Sequence, residues 1–329
     1  MKLILMFLLL LAIVPATNAD SVNGANDYPK VILDNRHIKV TVLLPDAEKG
    51  YYRSTRFDWS GIIAQVEYNG HTYFQEWENY NGTIEAGDHD PEKAGTATGT
   101  AEEFRNTPGY AEAKPGEPFL KIGVGILEKA DNNPHHWDYP YKFIQAGMWD
   151  VKVKKHSICF IQEIKTNFGY AYRYEKTIVL NKNKPELEIR HELKNTGQKE
   201  FYANPYCHNF FQFDGHDIGS DYQVEFPGNI KAVDKFDSRV TIENNYLKLN
   251  TALQGNDWVG GHIDPDAAKT FVLKNSKTKT AVEVISDVVP GPFYFYIWKL
   301  AFCPEPMIEF DLAQGEEFLW SRIYKFTKE

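Results

Sequence analysis

Cysteine and methionine are scarce in this sequence, with three cysteines and four methionines among 329 residues. The cysteines are Cys159, Cys207 and Cys303, an odd number, so at most one disulfide can form and one thiol must stay unpaired. A chain of this length can build a hydrophobic core without disulfides. The sequence therefore predicts three free, buried thiols.

An excess of positive charge is also absent. Lys and Arg number 36 against 45 Asp and Glu, the net charge is −9, and no basic run occurs. Because affinity for nucleic acids comes mainly from Lys and Arg on phosphates, this composition excludes a nucleic-acid-binding function. Hydrophobic residues make up 43% of the chain, which also excludes a disordered protein.

Long apolar runs are missing except at the N-terminus. Lys2 is followed by an apolar run over residues 3–14 and by small residues that end at Ala19. This order is typical of a secretory signal peptide, whereas a membrane-spanning helix needs about 20 apolar residues. We expect residues 1–19 to be removed and the protein to be exported, periplasmic or secreted, without membrane attachment after cleavage.

Helical periodicity is nearly absent, and alternation takes its place. Apolar residues recur at every second position, the pattern of a strand with one buried face. Asn69-Gly70 follows one such run and is a strong signal for a two-residue hairpin turn. No Pro/Ser-rich linker interrupts the pattern, so the sequence predicts an all-β protein, one large antiparallel β-sandwich domain over residues 20–329. The strand-like runs are 37–43, 62–68, 187–193, 281–285, 293–300 and 318–326.

Residues 78–121 differ from the rest, being rich in Gly, Glu, Thr and Pro. This composition predicts a long excursion on the rim of the sheet. Asp88, His89 and Asp90 could ligate a hard cation, but we favour a solvated acidic loop. Asn81-Gly82-Thr83 fits the glycosylation triplet, a short motif that occurs often by chance.

The segment 204–215, with the sequence NPYCHNFFQFDG, is the most informative one. In a strand, Tyr206, His208, Phe210 and Gln212 point to one face, and the residues between them point to the other. An imidazole, a carboxamide and two aromatic rings on one face make a carbohydrate-binding surface, because rings stack on sugar C–H groups. The pattern alone leaves open whether His208 is catalytic or a hydrogen-bonded structural histidine.

A second unusual segment, 301–309, has the sequence AFCPEPMIE. Its two prolines favour extended backbone and prevent ordinary ladder pairing, so the segment should lie at a strand end or a sheet edge. Glu305 in this apolar setting is a candidate general base, because partial desolvation raises the pKa of a carboxyl group toward the working range. A surface glutamate is the equally supported alternative.

These motifs resemble those of the aldose 1-epimerase (galactose mutarotase) family. The segment Asn-Pro-x-x-His-x-Phe-Phe is similar to the family's Asn-Pro-x-x-His-x-Tyr-Phe, and Phe-Cys-Pro-Glu at 302–305 is similar to its Val-Cys-Leu-Glu. Order and rough spacing match from about residue 187 to 326, and the N-terminal half matches loosely. Further similar stretches are 187–197, 312–316, 324–326 and the Asn-rich His motif at 132–136.

The resemblance implies a galactose mutarotase-like supersandwich that binds a mono- or oligosaccharide on a concave face, as a monomer or dimer. It implies that His208 protonates the ring oxygen and that Glu305 takes the proton from the anomeric hydroxyl. The ring then opens and recloses as the other anomer, without a metal or another cofactor. Because the pair acts in both directions, both pKa values should lie near neutrality.

The same resemblance and the strand pattern name further sugar-binding candidates. They are Arg56, His136, Asn204, Gln212 and Trp298, with Trp59 and Trp137 as other possible stacking rings. For all three tryptophans, burial in the core is the favoured alternative. For Arg56, an ion pair with Asp58 or another carboxylate is equally consistent with the sequence. His136 is preferred over His135, since adjacent residues of a strand point to opposite faces.

Two departures from the family pattern leave alternatives open. Pro304 and Pro306 flank Glu305 and could move it, which would leave Glu309 as the base. The family's sugar-binding aspartate has no clear counterpart in this sequence, and Asp257 is only a weak candidate for that position. The alternative functions are a carbohydrate-binding protein without catalysis and a polysaccharide lyase on the same sandwich, for which Tyr51, Tyr52 and Arg56 could serve.

Overall fold

The computed structural model describes residues 28–75, 97–255, 257–266 and 268–328. The predicted signal peptide at 1–19 lies outside the described residues. The possible cation ligands Asp88, His89 and Asp90 and the Asn81-Gly82-Thr83 triplet also lie outside them.

The described residues form β-strands joined by turns and loops, and they include no helix, so none of them could span a membrane as a helix. The strands are β1 (Lys30–Asp34), β2 (Ile38–Leu43), β3 (Ile63–Tyr68), β4 (His71–Thr72), β5 (Thr100–Phe104), β6 (Pro118–Lys121), β7 (Gly125–Glu128), β8 (Lys142–Ala146), β9 (Asp150–Lys154), β10 (Ser157–Lys165), β11 (Ala171–Leu180), β12 (Glu186–Asn195), β13 (Phe201–Ala203), β14 (Pro205–Asn209), β15 (Tyr222–Glu225), β16 (Lys231–Ala232), β17 (Val240–Glu243), β18 (Tyr246–Leu249), β19 (Trp258–Asp264), β20 (Thr270–Asn275), β21 (Thr280–Ser286), β22 (Phe293–Trp298), β23 (Ala301–Pro306), β24 (Phe310–Leu312) and β25 (Glu317–Lys328).

One layer of the fold is a ten-stranded antiparallel sheet with the order β17-β18-β15-β20-β21-β25-β12-β11-β10-β9. Alternate residues along its strands are buried, as in Ile158 and Phe160 of β10 and Ile178 of β11. This period of two turns one face of the sheet toward the core. The alternating runs of the sequence therefore predict this sheet correctly.

The facing layer consists of smaller antiparallel sheets. Four-stranded sheets with the orders β1-β2-β3-β4 and β16-β19-β22-β23 flank the two-stranded pair of β14 and β5. Isolated bridges from Phe211 to Phe74 and to Phe302 join these pieces. Val40, Ile63 and Phe295 of this layer share one buried core with the ten-stranded sheet, which confirms the large antiparallel sandwich.

The hairpin predicted at Asn69-Gly70 is present between β3 and β4. Both residues have positive φ, 53° and 82°, and Tyr68 pairs with His71 across the turn. Asn and Gly accept this left-handed backbone at low cost, which makes the pair a strong local signal.

The prediction of a rim excursion over 78–121 is wrong for residues 100–104 and 118–121, whereas residues 105–117 do form turns and loops. Thr100–Phe104 is the buried strand β5, which pairs with β14, and Pro118–Lys121 is the strand β6. Glu102 and Glu103 lie in β5 and are both buried, because cationic side chains compensate their charges. Composition alone could not reveal a strand whose buried acids depend on partners elsewhere in the chain.

Candidate functional site

Strand β14 directs its side chains as the alternation predicts. Tyr206 and His208 point to one face, which is lined by the opposite residue Glu103 of β5. Cys207 and Asn209 point to the other face, where both lie within hydrogen-bonding distance of the Tyr324 hydroxyl, at 3.5 and 2.9 Å. The strand thus separates a candidate site from the sandwich core.

Strand β23 lies at a sheet edge as predicted, but its prolines do not prevent ladder pairing, since residues 301–306 all pair with β22. It is the last strand in the order β16-β19-β22-β23, and β14 lies next to it through the bridge from Tyr206 to Met307. Glu305 pairs with Tyr294 of β22, which pairs with His262 of β19. Directly opposed residues of antiparallel strands share a face, so these three side chains form one row across the sheet.

His208 and Glu305 meet between these strands. The Nε2 atom of His208 lies 3.2 Å from Oε1 of Glu305, and their side chains are 4% and 5% exposed. The ring of Phe210 stacks on the imidazole at 4.1 Å and restricts its orientation. Two residues far apart in the sequence therefore form a close pair.

Burial changes the proton affinity of both groups. It raises the pKa of Glu305 well above 4.5, and it lowers the pKa of His208 well below 6.5, with the nearby Arg56 guanidinium adding to the second effect. At neutral pH this favours a protonated carboxyl group beside a neutral imidazole. The direction for Glu305 follows the sequence argument, whereas His208 departs from the expected near-neutral pKa because it is almost fully buried.

The pair opens into a cavity of about 520 Å³, a size typical of small-molecule sites. The wall contains five aromatic rings, those of Trp137, Tyr206, Trp258, Tyr294 and Tyr296. Its other polar lining residues are Arg56, Glu103, Arg105 and His262. Rings with a few convergent polar groups suit a ligand that has both C–H faces and hydroxyl groups.

Arg56 lines this cavity and is also an ion-pair partner. Its Nε donates to Oε2 of Glu103 at 2.8 Å, and its Nη2 donates to the Tyr206 hydroxyl at 2.9 Å. Burial alone would raise the pKa of Glu103, but Arg56 and Lys121 lower it to about 2. The ion-pair interpretation of Arg56 is thus confirmed with Glu103 as the carboxylate, while Asp58 pairs with Lys176. Sugar binding by Arg56 stays a prediction.

Trp258 and His262 line the cavity without having been predicted as site residues. Trp258 is 54% exposed and stacks on Tyr296 with the ring centroids 5.8 Å apart. The Nδ1 atom of His262 lies 2.7 Å from Oδ2 of Asp234, which orients the imidazole. The alternation over 258–264 was a usable signal for these side chains, since Trp258 and His262 share a parity.

Several predicted sugar-binding residues lie outside this cavity. Trp298 is 4% exposed and packs in a second core cluster, and Gln212 is also buried away from the lining. His136 is exposed and lies beside Asp138. Asn204 lines a neighbouring cavity, where its Oδ1 accepts a hydrogen bond from the backbone amide of Asn106 at 2.6 Å.

The remaining sequence alternatives are also located by the structure. Glu309 is exposed and outside the cavity, so Glu305 is the carboxyl group that faces His208. Asp257 lies on the surface in an ion pair with Arg239 at 3.1 Å. Trp59 is buried, whereas Trp137 lines the cavity and covers the Arg56 guanidinium at 4.1 Å.

Two cysteines, Cys207 and Cys303, are free and buried, and Cys159 is free but half-buried on β10. Burial raises the pKa of both buried thiols, which makes them poor nucleophiles. The described residues contain no group of three or more His, Cys, Asp or Glu side chains arranged to hold a metal ion.

Solved structures that resemble this fold include proteins described as aldose 1-epimerases or galactose mutarotase-like. A candidate aldose 1-epimerase from Escherichia coli K12 superposes with a TM-score of 0.54 at 13% identity, covering 91% of this chain and 99% of the other. Galactose 1-epimerase from Lactobacillus acidophilus NCFM gives 0.52 at 12% identity, covering 91% and 94%. The aldose epimerase homologue from C. elegans gives 0.51 at 11%, covering 91% and 98%.

These similarities define the fold class, a galactose mutarotase-like β-sandwich, as the sequence resemblance implies. No protein-family model matches the chain, and no curated protein matches it in sequence. Fold does not determine reaction, so function must be argued from the site.

Proposed function

We propose that this protein is an aldose 1-epimerase-like isomerase that interconverts the anomers of a sugar by acid–base ring opening. The observation that carries the proposal is the 3.2 Å approach of His208 and Glu305 at the wall of a ring-lined cavity. The epimerase and mutarotase descriptions of the structural neighbours support the same reaction class.

The reaction needs one proton donor and one proton acceptor at the same time. The donor protonates the ring oxygen as the acceptor removes the proton of the anomeric hydroxyl, and the ring opens to the aldehyde. Rotation about the C1–C2 bond and closure from the other face give the second anomer. A protonated carboxyl group beside a neutral imidazole carries one transferable proton, which is the number the reaction requires.

The pKa directions assign the starting roles. In the sugar-free site the proton belongs to Glu305, so Glu305 donates to the ring oxygen and His208 accepts from the anomeric hydroxyl. The roles exchange on ring closure by microscopic reversibility. This assignment reverses the roles implied by the sequence resemblance, but the pair and its proton count are the same.

The cavity wall supports a sugar as the ligand. Trp258 and Trp137 are both partly exposed and can stack on the C–H face of a pyranose ring. His262, oriented by Asp234, and the Arg56, Glu103 and Tyr206 group offer donors and acceptors for sugar hydroxyls. The position of each contact is part of the proposal.

Export is part of the proposed role. The N-terminal pattern is that of a signal peptide cut near Ala19, so the substrate would be a sugar outside the cytoplasm. Mass spectrometry of the protein recovered from a cell fraction outside the cytoplasm tests this directly. We expect a mature chain there that begins near residue 20, whereas an uncut chain found only in the cytoplasmic fraction would contradict export.

A lyase is disfavoured by the placement of the tyrosines. Tyr51 and Tyr52 are buried in the second core cluster and do not line the cavity. Tyr206 does line it, but burial raises its pKa well above 10, which makes a tyrosinate base costly.

Polarimetry of freshly dissolved monosaccharides tests the proposal. We expect the wild-type protein to accelerate the approach to anomeric equilibrium for at least one aldose above the buffer rate. The buffer rate for every sugar, together with saturable sugar binding in calorimetry, would instead support a carbohydrate-binding protein without catalysis.

A further inference from the structure

Arg105 lies where two cavities meet. It follows the last residue of β5 and has the same parity as Glu103, so both side chains reach the same face. Arg105, Glu103 and Trp137 line both the cavity of His208 and Glu305 and a neighbouring cavity of about 770 Å³. No motif of the sequence points to Arg105.

The guanidinium of Arg105 has no carboxylate partner among the described residues. Its hydrogen-bonding contact there is long, 4.0 Å from Nη1 to the thioether sulfur of Met307. Other arginines of the chain do have such partners: Arg56 with Glu103 and Arg190 with Glu188 are examples. Arg105 is also exposed, so a ligand in the cavity can reach it.

The surrounding charges leave this cation uncompensated. Glu103 is ionised, but Arg56 and Lys121 already balance it. Burial raises the pKa of Glu305 and lowers that of His208, which favours an uncharged pair beside Arg105. A positive site in a chain of net charge −9 attracts an anion locally.

The acidic groups nearby limit where that anion can lie. Asp234 bonds to His262 at 2.7 Å and does not line the cavity of His208. Glu200 and Asp311 line the neighbouring cavity but not the cavity of His208. With carboxylates on both sides, the charge of Arg105 at the junction suits one anionic group on the bound sugar better than a long polyanionic chain.

We propose that the substrate is an anionic sugar, whose carboxylate, sulfate or phosphate group binds the Arg105 guanidinium while its anomeric centre lies at His208 and Glu305. Arginine suits this role because its planar fork binds such groups through two parallel hydrogen bonds. The inference rests on the proposed function, since it names the substrate class of the same site.

Matched sugars that differ only at C6 test the inference. Glucose is compared with glucuronate, glucose 6-sulfate and glucose 6-phosphate, and galactose with galacturonate, by anomer exchange in NMR. We expect kcat/KM for at least one anionic sugar to exceed that of its neutral partner by about tenfold, the size of one charge-assisted hydrogen bond. The largest ratio identifies the anionic group.

Variants connect the preference to Arg105. We expect the anionic-to-neutral ratio to fall about tenfold in Arg105→Gln and to be partly kept in Arg105→Lys. Arg190→Gln is the control, because Arg190 is exposed and pairs with Glu188 outside the cavity. This control should leave both rates and their ratio unchanged.

Calorimetry separates failure of the inference from failure of the proposed function. Tighter binding of an anionic sugar than of its neutral partner, lost in Arg105→Gln, supports the inference even if no sugar is anomerised above the buffer rate. Equal binding of the two sugars by the wild type overturns it. If Arg105→Gln weakens the binding of the anionic and the neutral sugar equally, the inference is overturned as well.

Discussion

The side-chain amide of Asn209 donates a hydrogen bond to the carbonyl oxygen of Pro304 at 2.8 Å. This bond joins the residue after His208 to the residue before Glu305. The Oδ1 atom of Asn209 in turn accepts from the Tyr324 hydroxyl at 2.9 Å, which ties the junction to the ten-stranded sheet. Strand β23 pairs regularly with β22, whereas the β14 segment meets it only through isolated bridges, so this side-chain bond helps to hold the two strands together at the site.

Asn209→Ala should therefore affect catalysis and stability together. Loss of the amide leaves the Pro304 carbonyl and the Tyr324 hydroxyl buried without this partner, at a cost of about 1–3 kcal/mol in the free energy of unfolding. We expect kcat to fall more than KM rises, since the pair is misplaced while the ring-lined wall remains. Chemical denaturation and steady-state anomerisation measure the two effects.

Asn275→Ala is the matched control for that variant. Asn275 lies in β20, far along the chain from the site, and is equally buried. Its side-chain amide donates a hydrogen bond to Asp221 at 2.9 Å. A similar loss of stability with unchanged kcat is expected. The positioning role of Asn209 is excluded if both variants lower kcat equally.

The pH dependence of kcat/KM should lack a histidine step near pH 6.5. The active form has neutral His208 and protonated Glu305. As the pH falls, activity is lost only when His208 gains a proton, at a pH well below 6.5 because burial and Arg56 lower its pKa. As the pH rises, activity is lost when Glu305 ionises, at a pH well above 4.5.

Rates of anomer exchange across the pH range, corrected for buffer catalysis, test this profile. His136→Gln is the control, because His136 is exposed and outside the cavity and its removal should leave both limbs in place. An acid limb centred near pH 6.5 that persists in His262→Gln, which removes the other imidazole of the cavity, would contradict the assignment.

Glu305→Gln should stabilise the protein at neutral pH. The folded protein holds the Glu305 proton to a higher pH than the unfolded chain does, where the group titrates near 4.5. Rising pH above 4.5 therefore favours the unfolded wild type, and a glutamine removes this loss. We expect a larger free energy of unfolding for the variant at pH 7 and a difference that shrinks toward pH 4.

Denaturant titrations at pH 4 and pH 7 measure that difference. Glu309→Gln serves as the control. Glu309 lies four residues after Glu305 and is exposed, so its replacement should not raise the free energy of unfolding. A less stable Glu305→Gln variant at pH 7 would mean that the ionised carboxylate is favoured in the folded state, against the assignment of the proton.

Trp258→Ala should weaken sugar binding with little change in kcat. Stacking on an aromatic ring is worth about 1 kcal/mol, which corresponds to roughly a fivefold rise in KM. Trp258→Phe should keep part of this contribution. Trp298→Phe is the contrast, because Trp298 is buried in the core and its truncation should lower the free energy of unfolding and leave KM unchanged.

Local patterns in the sequence predicted much of the fold and the central pair. Alternation placed Tyr206 and His208 on one face of β14, and the two prolines placed Glu305 at a sheet edge. These predictions succeeded because the direction of a strand side chain depends on parity alone.

Residues whose role depends on distant partners were not predicted. Glu103 and Arg105 lie in a stretch whose composition resembled a loop, and Glu103 is buried because Arg56 and Lys121 reach it from other segments. Such compensation is a tertiary effect with no local signal.

The choice between tryptophans failed for a related reason. Trp258 and Trp298 are register partners on neighbouring strands, yet the core cluster covers one of them and the other borders the cavity. Their exposed fractions differ because other segments pack over Trp298 and not over Trp258. The periodicity of a strand does not determine which segments pack on it. His136 and Asn204 lie outside the cavity because of loop paths that the sequence likewise does not determine.

Anomer exchange by His208→Gln, Glu305→Gln and the double variant tests the central claim most directly. Each single variant should lower kcat by about 10²–10⁴-fold while sugar binding persists. The kcat of the double variant should be no lower than that of the less active single variant, because the two groups act as one unit. Wild-type exchange rates in either single variant, or fully additive losses in the double variant, would contradict a shared proton between this imidazole and this carboxyl group.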